Sequence, residues 1–233
     1  MKDKLASYDW GKIADELDRF GTAMLGEILS PQQCNQIVGL YDAPDAFRST
    51  ITMARHGFGR GEYKYFANPL PDIIRGLRQG LYARLSPIAN HWSERLGSGV
   101  KYPASHDEYL AICHAAGQVR PTPLILQYVE GDYNCLHQDL YGDLAFPLQV
   151  AVLLSQPGED FTGGEFVLTE QRPRMQSRAE IVPLRRGNAV IFAVNHRPIR
   201  GTRGDYKAKM RHGVSRLRSG KRHTLGIIFH DAR

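Results

Sequence analysis

The chain has 233 residues, 42% of them hydrophobic and 23% charged, the size and balance of one globular domain with a sizeable core. No run approaches about 18 consecutive apolar residues, which excludes a transmembrane helix; three cysteines without close spacing (Cys34, Cys113, Cys135) disfavour a disulfide framework and a cysteine zinc site. The formal net charge of +6 hides an asymmetry, because residues 1–170 carry 14 Lys/Arg against 21 Asp/Glu and residues 171–233 carry 16 against 3, a pattern read either as a polyanion-binding face or as a plain basic surface.

The N-terminus, Met1-Lys2-Asp3-Lys4, leads into an amphipathic segment and not an apolar signal core. With the cysteine usage this predicts a reduced, cytoplasmic chain. Asp9 is placed to cap a helix carrying Trp10, Ile13, Leu17 and Phe20 at helical spacing. Ser30-Pro31 signals a second start, serine as N-cap and proline in the first turn, leading to Cys34, Ile37, Val38 and Tyr41. A third helix is predicted from near Pro71, with Ile73, Ile74, Leu77, Leu81 and Leu85 on one face and Pro87 opening its continuation. Between these, residues 49–53 alternate as a strand and then give way to a loop rich in Gly, Arg and aromatics. From Pro121 short strands are expected at 124–129, 148–155, 165–169, 180–184, 189–194, 211–216 and 223–230, separated by Gly, Asn and Pro turns that include Ser219-Gly220. The fold class predicted is α+β: a helical N-terminal support with a substrate loop (1–120) packed on a jelly-roll, or double-stranded β-helix, catalytic core (121–233), together one compact unit.

Nine histidines direct attention to a metal. His56, His91, His106, His114 and His223 read as ordinary surface or core residues. His137-Gln138-Asp139 differs, because positions i and i+2 of an extended segment face one side and can hold one ion between them. A third ligand must come from a later strand, and His212 fits best. Ten residues beyond it stands Arg222, whose permanently charged, planar guanidinium can grip a carboxylate with two hydrogen bonds. His196 competes as third ligand, but the residue ten positions on is Tyr206; His230 lies at the far end of its strand from Arg222. Two His and one carboxylate on one face of an octahedral iron leave three open positions, room for a bidentate 2-oxo acid and dioxygen. The plain alternatives are a turn aspartate at Asp139 and a surface arginine at Arg222.

This set, His137, Asp139, His212 and Arg222, resembles the Fe(II)/2-oxoglutarate dioxygenase superfamily with prolyl-hydroxylase-like spacing. Residues 126–133 (LQYVEGDY) are similar to the strand and turn before the H-x-D of prolyl-hydroxylase-type members, Phe161–Phe166 to the family's Gly-Gly strand start, and Arg185–Phe192 to the turn and strand before the distal histidine. The likeness spans about residues 121–231. It implies catalytic and metal-binding roles for His137, Asp139 and His212, with Fe(II), 2-oxoglutarate and dioxygen as cofactor and co-substrates. It also implies contacts from Arg222 and Tyr128 to the distal carboxylate of 2-oxoglutarate; Tyr128 reads otherwise as an ordinary buried aromatic. More narrowly, the chain resembles the bacterial nucleic-acid oxygenases linked by name to oxidation of damaged DNA, although Arg222 departs from the arginine spacing of the alkylated-base repair dioxygenases.

Two segments are candidate walls of the pocket. Arg55–Phe66 interleaves cations with aromatics, so Arg60 and Lys64 can meet phosphate while Tyr63, Tyr65 or Phe66 stacks on a base; it reads equally as a Gly-rich lid. Arg197–Arg211, taken as a connection, holds six cations including Arg200 and Arg203, directly before His212; it reads equally as a solvated, mobile connection. Nucleic acid, alkylated and presented as a flipped or single-stranded base, is therefore the favoured substrate. A protein or peptide hydroxylase is the alternative, and a non-catalytic binding module on the same fold a third.

Overall fold

Two of the helices begin where the sequence provides a side-chain cap. The computed structural model describes residues 2–140 and 142–233. A short helix α1 (Lys2–Ala6) precedes α2 (Trp10–Phe20), whose first turn is capped by the Asp9 carboxylate accepting from the Lys12 N–H. Helix α3 (Pro31–Gly39) starts in a full capping box, in which Ser30 and Gln33 each accept the other's backbone N–H. Helix α4 (Asp72–Arg95) runs unbroken through Pro87. The continuation expected from Pro87 is thus part of the same helix, without a break; burial of Leu85, Ile88, Ala89 and Trp92 around it offsets the lost backbone hydrogen bond. Helix α5 (His106–Ala115), which carries little amphipathic signal, was not expected.

The first 120 residues also contribute strands: β1 (Thr22–Glu27), β2 (Phe47–Thr52), β3 (Gly59–Arg60) and β4 (Glu62–Phe66). The later strands are β5 (Leu124–Val129), β6 (Tyr133–His137), β7 (Leu148–Leu153), β8 (Phe161–Gly163), β9 (Phe166–Gln171), β10 (Arg178–Val182), β11 (Asn188–Ala193), β12 (His196–Gly201), β13 (Gly204–Val214) and β14 (Leu217–Ile227). Among the described residues they form two antiparallel sheets. The larger has the order β1-β11-β7-β14-β5-β4-β2, with β8 on β14; the smaller has the order β10-β9-β13-β6-β3, with β12 on β13. Because β4 pairs with β5, the helical part and the strand-rich part share one ladder.

Two expectations are corrected here. The stretch 197–211 is no loose connection but the hairpin β12–β13, in register from His196↔Lys209 to Gly201↔Gly204. Ser219-Gly220 is no turn between strands: it lies inside β14, where the register slips against β8, and the chain reverses instead at Ser215-Arg216. A glycine after a serine marks a bulge as readily as a turn.

Strand alternation sorts the core into two layers. On β7 and β11, Leu148, Val150, Val152, Ala189 and Ile191 pack with the helices, and Ala151, Leu153, Val190 and Phe192 point the other way, into the space between the sheets. These strands are buried on both faces and read as continuous apolar runs. The inter-sheet layer is the one that leads to the site. Among the described residues no helix is long and apolar enough to cross a membrane, and all three cysteines are free thiols.

Candidate metal centre

Register brings the polar candidates together. In the smaller sheet His212 of β13 lies directly opposite His137 of β6, their rings 4.2 Å apart between centroids. In the larger sheet Arg222 of β14 lies opposite Tyr128 of β5. All four line one cavity of about 200 Å³ between the sheets.

Asp139 sits between the two imidazoles, with Oδ1 3.3 Å from His137 Nε2 and Oδ2 3.4 Å from His212 Nε2. One ligand atom from each of the three lies within 4.8 Å of the others. The His137 Nδ1–H donates to the Cys135 carbonyl (2.8 Å), which leaves the Nε2 lone pair turned to the cluster. Burial alone would raise the Asp139 carboxyl, but the hydrogen bonds and charge of the two histidines hold it well below the usual carboxylate range. His137 is drawn upward by Asp139 against the effect of its own burial, whereas burial lowers the deeper His212.

The residue between His137 and Asp139 holds the two in place. Gln138 directs its amide nitrogen at the Asn195 carbonyl (3.1 Å), the Asn195 Oδ1 (2.7 Å) and the Met210 carbonyl (2.8 Å). It thereby bridges the gap between β6 and β12 and ties the segment bearing His137 and Asp139 to the strand bearing His212, two residues before that histidine. Sequence reasoning passed over Gln138, since a lone glutamine carries no signal without its partners.

Arg222 is 1% exposed. Its Nη1 donates to the Thr224 hydroxyl (2.6 Å), its guanidinium carbon lies 5.6 Å from the Tyr128 ring centroid and 5.8 Å from that of Phe161, and its Nε has no acceptor. Among the described residues no carboxylate pairs with it. Burial lowers it to about 10, so it stays charged at neutral pH. Gly164, at φ +63°, leaves room for this side chain: a Cβ there would lie 3.1 Å from Arg222 Cδ and 2.5 Å from Leu217 Cδ1. The Tyr128 hydroxyl is likewise buried, with the Asn134 side chain the polar group beside it, and burial raises its pKa. A divalent ion fits the donor set of two imidazoles and a carboxylate. A ligand carboxylate fits the unpaired guanidinium and the hydroxyl beside it.

The proposed substrate contacts divide. Tyr63 lines the cavity, and Arg60, two-thirds exposed, lies at the sheet edge with Nε 3.8 Å from Asp132. Lys64 points the opposite way: its Nζ donates to the Tyr41 carbonyl (3.0 Å) and sits 4.1 Å from the centre of the Tyr41 ring. Strand alternation turns it from the pocket as it turns Tyr63 toward it, which corrects the expectation that Lys64 meets phosphate at the mouth. Phe66 is buried against Phe47 in the helix-facing core. Arg200 and Arg203 lie at the tip of the β12–β13 hairpin, roughly 23 Å or more along the strand from His212. Arg200 stands 4.0 Å from Asp205; neither arginine is near the cavity. His196 is on β12 opposite Lys209 and His230 accepts from the Phe146 N–H, so neither joins the cluster. At the mouth stand Phe58 and Leu140, both lining the cavity and both about half exposed, which the sequence did not single out.

Over residues 61–232 the sequence matches the family Oxygenase-NA, described as an oxygenase catalysing oxidative methylation of damaged DNA. Two uncharacterized proteins from strains of Mycobacterium tuberculosis are each 52% identical over 167 residues, 72% of this chain and 72% of theirs. In fold the chain is similar to a prolyl-4-hydroxylase from Pseudomonas putida (TM-score 0.55, 13% identity, 97% of this chain and 100% of that one). It is similar also to an oxidoreductase of the 2OG-Fe(II) oxygenase family from Burkholderia pseudomallei (TM-score 0.56, 16% identity, 97% and 94%). A third likeness is to a prolyl hydroxylase from Trichoplax adhaerens in complex with a hypoxia inducible factor peptide (TM-score 0.57, 14% identity, 99% and 91%).

Proposed function

The chain belongs to the Oxygenase-NA family of oxygenases, and from that premise we propose that it is an Fe(II)- and 2-oxoglutarate-dependent dioxygenase that hydroxylates or oxidatively demethylates an alkylated base in nucleic acid. The observation that carries this reading is one cavity holding His137, Asp139 and His212 beside a buried arginine, Arg222, that has no ion-paired carboxylate among the described residues. The two facing antiparallel sheets, which share their fold with 2OG-Fe(II) oxygenases, support reading the core as a double-stranded β-helix. The free cysteines support a reducing, cytoplasmic setting.

His137, Asp139 and His212 would hold the iron. Bound Fe(II) with 2-oxoglutarate and dioxygen supplies a two-electron oxidation of a substrate C–H bond, coupled to decarboxylation of 2-oxoglutarate to succinate. The protein's own part is recognition, orientation and exclusion of water. Arg222 would hold the distal carboxylate of 2-oxoglutarate, and Tyr128 would add its hydroxyl. Ala151, Phe166, Phe192 and Val214 make the cavity wall apolar, which strengthens these charge interactions. A base carrying an N-methyl group enters past Phe58 and Leu140; hydroxylation of that methyl releases formaldehyde.

A peptide hydroxylase is the second reading, favoured by the apolar mouth and by the prolyl hydroxylases among the structural neighbours. Succinate formation from 2-oxoglutarate with added Fe(II) tests the enzyme. Methylated single-stranded DNA and peptide libraries, followed by formaldehyde release and by mass gain of one oxygen, separate the substrates. Asp139→Ala is expected to abolish both iron binding and turnover; full turnover in this variant rules out the ligand assignment.

A further inference from the structure

The cations of the last quarter of the chain are not equivalent once folded. Arg197 is buried at 2% exposure and bound to the Glu170 carboxylate and the Asp18 carbonyl. Arg172 is paired with Glu170 (2.7 Å), Arg200 lies 4.0 Å from Asp205, and Arg222 faces the cavity. Three others fall on a single line. Along β13, Ala208, Met210 and His212 are buried and Lys207, Lys209 and Arg211 alternate with them, Lys207 and Arg211 exposed and Lys209 half-buried. Among the described residues none of the three is engaged in an ion pair. Successive members are about 7 Å apart, two strand rises.

The surface around this line lacks compensating acid. Beside Lys209 and Arg211 on β9 stand Gln171 and Thr169, and beyond Thr169 on β10 stands Ala179. On the far side Leu136 of β6 and His196 of β12 continue the same face. Glu170 and Glu180 share register with the inward Met210 and Leu168 and so belong to the other face. Asp205, one step beyond Lys207 toward the hairpin tip, is engaged by Arg95 at 2.9 Å and 3.2 Å. Burial lowers the pKa of His196, and the charges of Lys207 and Lys209 lower it further, as expected where positive charge accumulates without an anion. Such a face is stabilised by a ligand that carries its own regularly spaced negative charge.

We propose that Lys207, Lys209 and Arg211 form a track for the phosphate backbone of a single-stranded nucleic acid, delivering the strand to the cavity at Arg211, the neighbour of His212. The proposal rests on the reading of the enzyme as a nucleic-acid oxygenase and adds the surface that would hold the chain outside the pocket. An extended strand on this line reaches the sheet at Gln138 and His137, where His137 is one-third exposed and Phe58 and Leu140 flank the opening. Charge along the backbone fixes the path, and the base contacts at the mouth remain separate from it.

Fluorescence anisotropy of a labelled single-stranded oligodeoxynucleotide, titrated at several salt concentrations, tests the track. In the variant Lys207→Gln/Lys209→Gln/Arg211→Gln the slope of log K against log salt is expected to fall by about 2, from about 0.7 per lost phosphate contact, with at least about tenfold weaker binding at low salt. The charge-keeping variant Lys207→Arg/Lys209→Arg/Arg211→Lys is expected to retain the slope, which separates charge from misfolding. An unchanged slope in the glutamine variant overturns the proposal. So does salt-independent binding by the unaltered protein, or displacement of the oligonucleotide by polyglutamate at equal charge concentration. Oxidation of a methylated oligonucleotide is followed in parallel. Oxidation by the unaltered protein with an unchanged slope in the glutamine variant refutes the track alone. A slope that depends on the three cations without any oxidised product refutes the substrate reading alone.

Discussion

Arg222 is the residue whose energetics demand a ligand. Sequestering a guanidinium costs several kcal/mol unless its donors are satisfied; here Thr224 takes one, two aromatic faces lie near, and Nε is left without an acceptor. A carboxylate entering the cavity satisfies the remainder, and hydrogen bonds between charged groups are worth about 1.5–3 kcal/mol. Arg222→Met is therefore expected to raise the KM for 2-oxoglutarate by roughly 10–100-fold. The same variant should lose the rise in melting temperature that 2-oxoglutarate with a divalent ion produces in the unaltered protein. Steady-state succinate formation and a thermal melt measure the two. An unaltered KM together with an unaltered melting shift shows that the carboxylate binds elsewhere.

At the scale of elements, the cluster of His137, Asp139 and His212 depends on how β6 is fastened to β13. Their ladder is short, with His137 opposite His212, Asn134 opposite Val214 and a register shift between. Such a short ladder leaves the segment after His137 without strand partners, and the Gln138 amide supplies the missing rungs. Leucine at this position keeps the bulk and removes the donors to the Met210 carbonyl and the Asn195 Oδ1, while the Asn195 carbonyl keeps the Met210 N–H. Gln138→Leu is expected to weaken divalent metal binding by about 10–100-fold, the range found when groups that orient metal ligands are removed. Titration with Co(II), read from its visible absorption bands, reports both affinity and ligand geometry. Bands and affinity identical to those of the unaltered protein would refute this role for Gln138.

Across the whole molecule, buried neutral histidines hydrogen-bonded between distant segments make the fold acid-sensitive. His106 Nε2–H donates to the Phe229 carbonyl (2.8 Å), His230 Nδ1 accepts from the Phe146 N–H (3.2 Å), and His223 Nε2 accepts from the Gln127 amide (3.0 Å). Burial holds each down to about 4, against about 6.5 in the unfolded chain. The unfolded state thus binds more protons between these values. The stability contributed by the neutral rings is fully present above about pH 6.5 and is lost as the pH falls toward 4, by on the order of 3 kcal/mol per histidine at most. Urea unfolding at pH 7 and pH 4.5 measures the difference. Stability that is flat or rises on acidification contradicts this account.

Local physics made much of the protein legible before folding. The caps at Asp9 and Ser30 act within one helical turn, so the helices α2 and α3 could be placed from their own residues. Apolar runs marked β5, β7 and β11 because those strands are buried on one or both faces, and the spacing of His137 and Asp139 marked a shared side through backbone period alone. Tertiary structure decided the rest. Whether Lys64 meets the pocket or the Tyr41 ring depends on which face of β4 turns inward. Whether the basic stretch 197–211 is a mobile loop or a paired hairpin depends on Glu170 and Asp18, which lie far away in the chain and bind Arg197. The role of Gln138 exists only once Asn195 and Met210 are brought beside it. The charge asymmetry was a property of the sequence; that Lys207, Lys209 and Arg211 fall on one line was decided by the alternation of β13, which turns Ala208, Met210 and His212 inward.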